Sequence, residues 1–329
     1  MIAIFKRTFA FFMAILSFFF SPIFGKFGAK FEPKDKDNVK LNFSAFSDTH
    51  ILAKDPIRMG ILGMGLYDIE KASVMPDAVV VAGDITDHGY RDQWESVKDT
   101  FAKYPDLKNV ILAIGNHDTW TEDDHYEKAL ALFTEYNKKI SDRDIDHAYY
   151  STKVNGYTFV VLGSENDILA ADISDEQMDW FKNTMAEASR DGLPIFVICH
   201  QPLNQSHGLP ETWGDKDPEP DLGGIGKRSD EVEAVMKSYK NVFFISGHIH
   251  SGIGDDFTEK HYGYRSVETD GSFHSINLPS YMYPSKTGEL SNGMGFQFEV
   301  YEDNVVIRAR CFTAGVWYTN HEYTIPLVK

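Results

Sequence analysis

The sequence predicts an α/β fold built as one domain over residues 41–329, and three observations lead to this prediction. Near-continuous apolar runs have the length of β-strands, which indicates strands that are buried on both faces. Helical patterns alternate with these runs over the first two thirds of the domain. The tail has closely spaced strand patterns and a turn at 302–304, which favours hairpins.

The individual elements follow from the position of each pattern. A helix with Trp94, Val97 and Phe101 on one face is predicted at 91–104, because these residues recur at helical spacing. Ser174, with Gln177 three residues later, is a typical start for the helix at 175–190. Further helices are predicted at 122–140 and after Ser229. Strands are predicted at 41–47, 78–83, 109–114, 157–163, 194–199, 242–247, 273–278, 294–301, 304–311 and 314–325.

Composition excludes several classes of protein. The chain has 329 residues, of which 43% are hydrophobic, and this is enough to bury a large core. Its formal net charge of -17 repels polyanions, so duplex nucleic acid is not an expected partner. The two cysteines lack CxxC spacing, which argues against both a disulfide framework and a zinc–thiolate site.

The amino-terminal segment has the pattern of an export signal. Lys6 and Arg7 precede an apolar run at 8–20, and this run is shorter than the roughly 20 residues of a transmembrane helix. Residues 1–25 are therefore predicted to be a signal peptide or a retained anchor that brings the chain near a membrane. The expected location is secreted or associated with the cell envelope. Residues 26–40 are predicted to be a linker.

The candidate functional residues lie where apolar strands stop. Ligand sites in α/β folds form at the carboxyl ends of strands. Carboxylate, amide and imidazole side chains are ligands for Zn, Mn or Fe. Seven ligands exceed what one ion normally takes from protein, so two ions that share a carboxylate are expected. The seven candidates are Asp48, His50, Asp84, Asn116, His200, His248 and His250.

Taken together, these motifs resemble the calcineurin-like metallophosphoesterase superfamily. In order along the chain they are Asp-x-His, Gly-Asp-x-x-Asp, Gly-Asn-His-Asp, His and Gly-His-x-His, and they cover residues 48–250. The resemblance implies a four-layer α/β/β/α sandwich, in which two mixed β-sheets are flanked by helices. It also implies a phosphate ester as substrate and attack by a hydroxide that bridges the two metal ions.

The resemblance also assigns roles to the residues. It implies that the first metal is bound by Asp48, His50 and His250, and that the second is bound by Asn116, His200 and His248. Asp84 would bridge the two ions. His117 would face the oxygen of the leaving group, and Asp118 would orient the His117 ring.

Departures from related motifs narrow the resemblance to one branch. Purple acid phosphatases have a tyrosine where this chain has Asp87, and Ser/Thr phosphatases have glutamate where it has Asp118. The motifs are most similar to those of class III cyclic-nucleotide phosphodiesterases and glycerophosphodiesterase-like enzymes. The expected function is an exported phosphoesterase acting on phosphomonoesters or phosphodiesters. The alternative is a non-catalytic metal-binding protein of the cell envelope that retains the fold.

Two further positions have open interpretations. Asp87 is expected either near the metals or as a charge at the start of the following helix. His207 lies in the segment 204–226, which is either a loop on the substrate side or a mobile, solvated loop.

Overall fold

Two mixed β-sheets pack face to face with helices on their outer sides, as the sequence predicts. The computed structural model describes residues 26–27, 30–121, 125–166, 169–208, 223–250, 252–253, 264–282 and 292–329. The predicted signal segment at 1–25 and most of the loop at 204–226 lie outside these residues. Among the described residues, no helix has both the length and the apolar character needed to cross a membrane.

The first sheet has seven strands in the order β1-β13-β12-β11-β2-β3-β4. Strands β2, β3 and β4 are parallel to one another, and the other pairings are antiparallel. The strands are β1 (Lys26–Phe27), β2 (Leu41–Phe46), β3 (Ala78–Ala82), β4 (Val110–Ala113), β11 (Met294–Val300), β12 (Asn304–Cys311) and β13 (Val316–Pro326).

The second sheet has six strands in the order β5-β6-β7-β8-β10-β9. Strands β6, β7, β8 and β10 run parallel, and β5 and β9 form antiparallel edges. The edge strands were not predicted, because short and partly polar strands give little periodic signal. The strands are β5 (Tyr150–Val154), β6 (Tyr157–Val161), β7 (Ile195–Ile198), β8 (Val242–Ser246), β9 (Val267–Asp270) and β10 (Phe273–Asn277).

Aromatic side chains fill the core between the sheets. The Phe43 ring stacks on Phe298 at 4.6 Å and meets Phe159 and Phe196 edge-on at 5.1 and 4.9 Å. Helices α1, α2 and α4 cover the first sheet, and α5 and α6 cover the second. The helices are α1 (Pro56–Glu70), α2 (Arg91–Phe101), α3 (Asn116–Thr119), α4 (Tyr126–Ser141), α5 (Asp175–Ala188) and α6 (Ser229–Lys237).

The predicted start of α5 is confirmed, because the Ser174 side chain accepts a hydrogen bond from the Gln177 amide at 3.1 Å. Helix α1 was not predicted. Its three glycines weaken helix propensity, and its apolar residues do not form a single face. Packing requires glycine at position 65, because a Cβ on Gly65 would lie 1.9 Å from the hydroxyl oxygen of Tyr281.

The segment expected to be a linker packs on the domain instead. Lys26–Phe27 pairs with the start of β13, and Phe31 is buried. The Phe31 ring meets Trp317 edge-on at 5.5 Å, and the Trp317 indole nitrogen donates to the carbonyl oxygen of Lys30. The many lysines of this stretch concealed the role of Phe31, which anchors it to the domain.

Candidate metal centre

The site is assembled from the carboxyl ends of strands in both sheets. Asp48 and His50 follow β2, and backbone hydrogen bonds hold them against the residues after β3. The Asp48 amide donates to the carbonyl oxygen of Gly83 at 3.1 Å, and the His50 amide donates to that of Asp84 at 2.9 Å. From the second sheet, the Gly247 amide donates to the carbonyl oxygen of His200 at 2.9 Å. Parallel β7 and β8 thereby bring their ends together.

The described residues contain three clusters of possible ligand atoms, and within each cluster these atoms lie within 4.8 Å of one another. One cluster is His50, Asp87 and His117, and the other two share the carboxylate of Asp84. An Asp84 carboxylate oxygen is 3.1 Å from His200 Nε2 and 3.8 Å from His50 Nε2. Six of the seven predicted ligands are therefore brought together. Of the two clusters that share Asp84, the first is Asp48, His50, Asp84 and His250, and the second is Asp84, His200 and His248.

The predicted ligands have an unusual backbone conformation. A positive φ is uncommon for any residue other than glycine and clusters at functional sites. Such a φ turns the chain sharply beyond the end of each strand. Five of the ligands share it, namely Asp48 (φ 61°), His50 (φ 41°), Asp84 (φ 47°), His248 (φ 72°) and His250 (φ 54°).

Two glycines leave room for the ligands. Gly83 has a φ of 90°, and a Cβ there would lie 2.5 Å from the His200 ring. A Cβ on Gly115 would lie 2.2 Å from the Asp84 amide nitrogen and from its Oδ1 atom. Both distances are shorter than any packed contact, so only glycine fits at these positions.

The two buried carboxylates remain charged. Burial alone would raise the pKa of Asp48, but the imidazoles of His250 and His200 outweigh burial and lower it to about 2. Burial would likewise raise the pKa of Asp84, but the neighbouring histidines, His200 foremost, hold this pKa well below its usual range. The centre therefore offers two carboxylates to a cation.

The environments of two histidine ligands differ: His200 is paired with a carboxylate, whereas burial favours the neutral form of His248. The His200 Nδ1 atom donates to the carbonyl oxygen of Ala82 at 2.7 Å, which leaves Nε2 facing Asp84. Burial would lower the pKa of His200, but the carboxylates of Asp84 and Asp48 outweigh it and raise the pKa to about 9. Burial, and then the charge of His200, lowers the pKa of His248 well below its usual value.

Asn116 supplies an independent test of whether the site fits metal ions. It is the first residue of α3, and its Oδ1 atom is buried with no hydrogen-bond partner among the described residues. A buried carbonyl oxygen without a partner costs free energy unless a ligand satisfies it. The next residue, His117, donates its amide to Asp84 Oδ1 at 2.9 Å, so Asn116 lies at the same sheet edge. These donor types fit two transition-metal ions.

His117 lies beside the two clusters that share Asp84. Its ring centroid is 4.5 Å from that of His50, at an interplanar angle of 90°. The His117 Nδ1 atom donates to the carbonyl oxygen of Asp87 at 2.8 Å. Because Nδ1 is engaged in this way, Nε2 is the nitrogen that can exchange a proton with a ligand.

Asp118 has different partners from those expected. Its carboxylate accepts hydrogen bonds from the amides of Ile85, Thr86 and Gly115 at 3.2, 2.8 and 2.9 Å, and from the Thr86 hydroxyl at 2.8 Å. It therefore joins the loops after β3 and β4, and the Asp87 carbonyl orients the His117 ring in its place. Burial, together with the negative charge of Asp84, raises the pKa of Asp118 to about 6. The resemblance implied that Asp118 orients the His117 ring, but the Asp118 side chain is buried and bonds to these backbone amides instead.

Asp87 lies next to the metal centre, which is the first of the two positions expected for it. Its Oδ1 atom is 3.5 Å from His50 Nδ1 and 3.0 Å from Arg58 Nη1. Arg58 also donates to the carbonyl oxygen of His50. Arg58 was not predicted as a functional residue, because it lies on α1, which was itself not predicted. No local pattern could have revealed this contact.

His207 is a buried side chain. It bridges the carbonyl oxygen of Arg265 and the hydroxyl of Ser275 at 2.6 and 2.8 Å. These contacts connect the loop after β7 to β10, which is a structural role. Residues 209–222 of the same loop lie outside the described part.

Solved structures share the fold at low sequence identity. A dimetal phosphatase from Danio rerio superposes with a TM-score of 0.58 and 15% identity, covering 88% of this chain and 100% of that one. A purple acid phosphatase from yellow lupin (Lupinus luteus) gives a TM-score of 0.59 and 12% identity, covering 87% and 53%. At these identities the likeness shows the fold alone.

Sequence comparison is more specific. A probable cyclic nucleotide phosphodiesterase from Rhodococcus erythropolis is 29% identical over 166 residues, which is 48% of this chain and 51% of that relative. The chain thus spans about half the length of that curated relative. A family model described as calcineurin-like phosphoesterase matches residues 41–252, which contain all seven predicted ligands. The chain belongs to the calcineurin-like phosphoesterases.

Proposed function

We propose that this protein is an exported phosphoesterase with two metal ions, which hydrolyses small phosphate esters at the paired clusters. The observation that carries the proposal is the shared carboxylate of Asp84, which lies in both groups of converging ligand atoms. A pair of cations needs an anion between them to offset their repulsion.

The chain's own residues divide the work of binding. We assign one ion to Asp48, His50 and His250. We assign the other to Asn116, His200 and His248, and Asp84 lies between the two sets. When bound, the ions supply Lewis-acid chemistry that polarises the phosphoryl group and makes water a better nucleophile.

His117 serves the leaving group in this proposal. Its Nδ1 atom is held by the Asp87 carbonyl, and its ring stands next to the ligand His50. A protonated Nε2 atom beside the phosphoryl site can give its proton to the departing ester oxygen. Arg58 and Asp87 hold His50 in place, and Asp118 fixes the two loops on which Asp84 and His117 stand.

Phosphodiesters are the first substrates to test, because the Rhodococcus erythropolis relative is described as a probable cyclic nucleotide phosphodiesterase. The experiment is a panel of p-nitrophenyl phosphate, bis-p-nitrophenyl phosphate, cyclic nucleotides and glycerophosphodiesters. Each is assayed with enzyme reconstituted with Mn, Fe or Zn. We expect turnover of at least one ester that depends on added metal.

Two variants accompany the panel. Asp84→Asn removes the charge of the shared ligand and should abolish turnover. Asp99→Asn makes the same change on α2, where the side chain is 62% exposed, and should leave turnover unchanged. Full binding of two metal ions without turnover of any ester would reject the enzyme and favour a metal-binding envelope protein.

A further inference from the structure

Four rings, each in contact with the next, form a row that begins in the paired clusters. The ring centroids of His250 and His50 are 5.0 Å apart, and those of His50 and His117 are 4.5 Å apart. The row ends at Trp120, whose ring centroid is 4.0 Å from that of His117. It therefore runs from proposed metal ligands, past the proposed proton donor, to an indole that is only half-buried.

His88 and Tyr90 extend the aromatic surface at the outer end of this row. The His88 ring centroid is 6.5 Å from that of Trp120 and 5.5 Å from that of Tyr90. Both side chains are partly exposed. Trp120, His88 and Tyr90 together form a surface that we name the aromatic shelf.

The two loops that carry the aromatic shelf are locked together. Gly89 has a φ of 64°, and a Cβ there would lie 2.3 Å from the carbonyl oxygen of Asp118. The Gly89 amide donates to the Thr86 hydroxyl, which itself donates to the Asp118 carboxylate. This backbone contact fixes the shelf before a ligand arrives, which lowers the entropy lost on binding.

We propose that the aromatic shelf binds a planar aromatic group on the leaving-group side of the substrate. The inference rests on the proposed function, because that function places phosphorus at the metals and the ester oxygen at His117. A group bonded to that oxygen lies beside His117, whose ring centroid is 4.0 Å from that of Trp120. The face of an indole ring stacks on aryl and nucleobase rings largely regardless of which base it meets or which substituents the ring carries. The preferred substrates are therefore phosphoesters of alcohols that carry an aromatic ring.

The test uses two phosphodiesters whose leaving alcohols are similar in size and acidity. Benzyl methyl phosphate has a planar leaving group, and cyclohexylmethyl methyl phosphate has a puckered one. The metal-loaded full chain should prefer the benzyl ester. In Trp120→Leu, kcat/KM for the benzyl ester should fall about 5- to 100-fold, the range expected for loss of one stacking contact. The value for the cyclohexylmethyl ester should change less than about twofold.

Two further variants separate stacking from general damage. Trp120→Phe keeps an aromatic face and should retain most of the benzyl preference. Trp180→Leu removes the tryptophan on α5 that packs on Tyr149 at 4.8 Å, and it should leave both esters unaffected. Equal losses on both esters in Trp120→Leu would mean that Trp120 only supports His117, and this result would overturn the proposal.

Binding measured without turnover keeps the inference separate from the proposed function. Calorimetry would compare benzyl phosphate with cyclohexylmethyl phosphate on the metal-loaded chain and on Trp120→Leu. Tighter binding of benzyl phosphate that Trp120→Leu abolishes supports the shelf, even if no ester is hydrolysed and the proposed hydrolase fails. If the unsubstituted chain binds the two phosphates with equal affinity and still turns over esters, the proposed role of the aromatic shelf is wrong. The proposed hydrolase activity is then unaffected.

Discussion

The Nδ1 atom of His117 donates a hydrogen bond to the backbone carbonyl oxygen of Asp87 at 2.8 Å. A carbonyl oxygen can only accept, so this contact fixes which ring nitrogen carries the hydrogen toward Asp87. The Nε2 atom is then left for the substrate. The same residue connects the ring to the metal side, because the Asp87 carboxylate lies 3.5 Å from His50 Nδ1.

The first prediction concerns His117→Asn. We expect metal content to stay near two ions and kcat to fall about 10²- to 10⁴-fold, the usual effect of losing a general acid. The loss should be larger for alkyl esters than for nitrophenyl esters, because a nitrophenolate departs with little help. Kinetics on both ester types, with elemental analysis of the same samples, checks this. Loss of one metal would show that His117 is a ligand.

The second prediction concerns the shared carboxylate. Asp84→Asn should lower the metal content from two ions to one or fewer, because an amide cannot offset the repulsion between two cations. We expect kcat to fall by about 10²-fold or more, since both ions act on the phosphoryl group. Elemental analysis and kcat are the measurements, with Asp99→Asn as the exposed control. Retention of two tight ions with full activity would contradict the bridging role.

The third prediction compares two glycines with positive φ. Gly83→Ala places a Cβ 2.5 Å from the His200 ring, so we expect metal affinity to weaken about 10- to 100-fold as the ligand shifts. Gly271→Ala has a similar φ requirement (φ 62°), but the Cβ has no atom within 4 Å. It should cost only about 1–2 kcal/mol of unfolding free energy and leave metal affinity unchanged. Equal metal affinities in the two variants would refute the steric argument.

The fourth prediction concerns pH and stability. Burial lowers the pKa of His274 to about 4, whereas an unfolded histidine titrates near 6.5. The unfolded chain therefore binds more protons over this interval, so His274 should lower the free energy of unfolding as pH falls from about 6.5 to about 4. The size is on the order of 1–3 kcal/mol.

Urea unfolding at pH 7 and at pH 4.5 tests the contribution of His274. His274→Asn should lose less stability between the two pH values than the unsubstituted chain does. His147→Asn is the control, because the His147 side chain is 46% exposed. An identical loss in the unsubstituted chain and in His274→Asn would refute the prediction.

The fifth prediction concerns export of the protein, because the proposed location depends on it. Deleting residues 2–25 should leave active protein in the cytosol of the native host, because the basic residues and apolar run are removed. Replacing Lys6 and Arg7 with glutamate keeps the run but removes its positive flank, and it should reduce export. Cell fractionation and immunoblotting measure both effects. Cytosolic accumulation of the unaltered chain would contradict the prediction.

The sequence by itself determined the α/β class of the fold and the strand ends that carry the chemistry. Buried parallel strands must be apolar throughout, so a polar residue such as Asp84 directly after the run marks the strand end. Observed strand boundaries agree with the predicted ones within two residues. The predicted ligands followed from this local signal and from motif order, and neither requires knowledge of which residues meet in space.

Only the tertiary structure decided which side chains support that centre. Arg58 reaches Asp87 across 29 residues, and Trp120 meets His88 across two loops. Asp118 turns away from its neighbour His117 and binds the amides of the loop after β3. These contacts depend on how two sheets and a glycine-rich helix pack together. Because side-chain partners are selected by long-range packing rather than by sequence spacing, no local pattern encodes them.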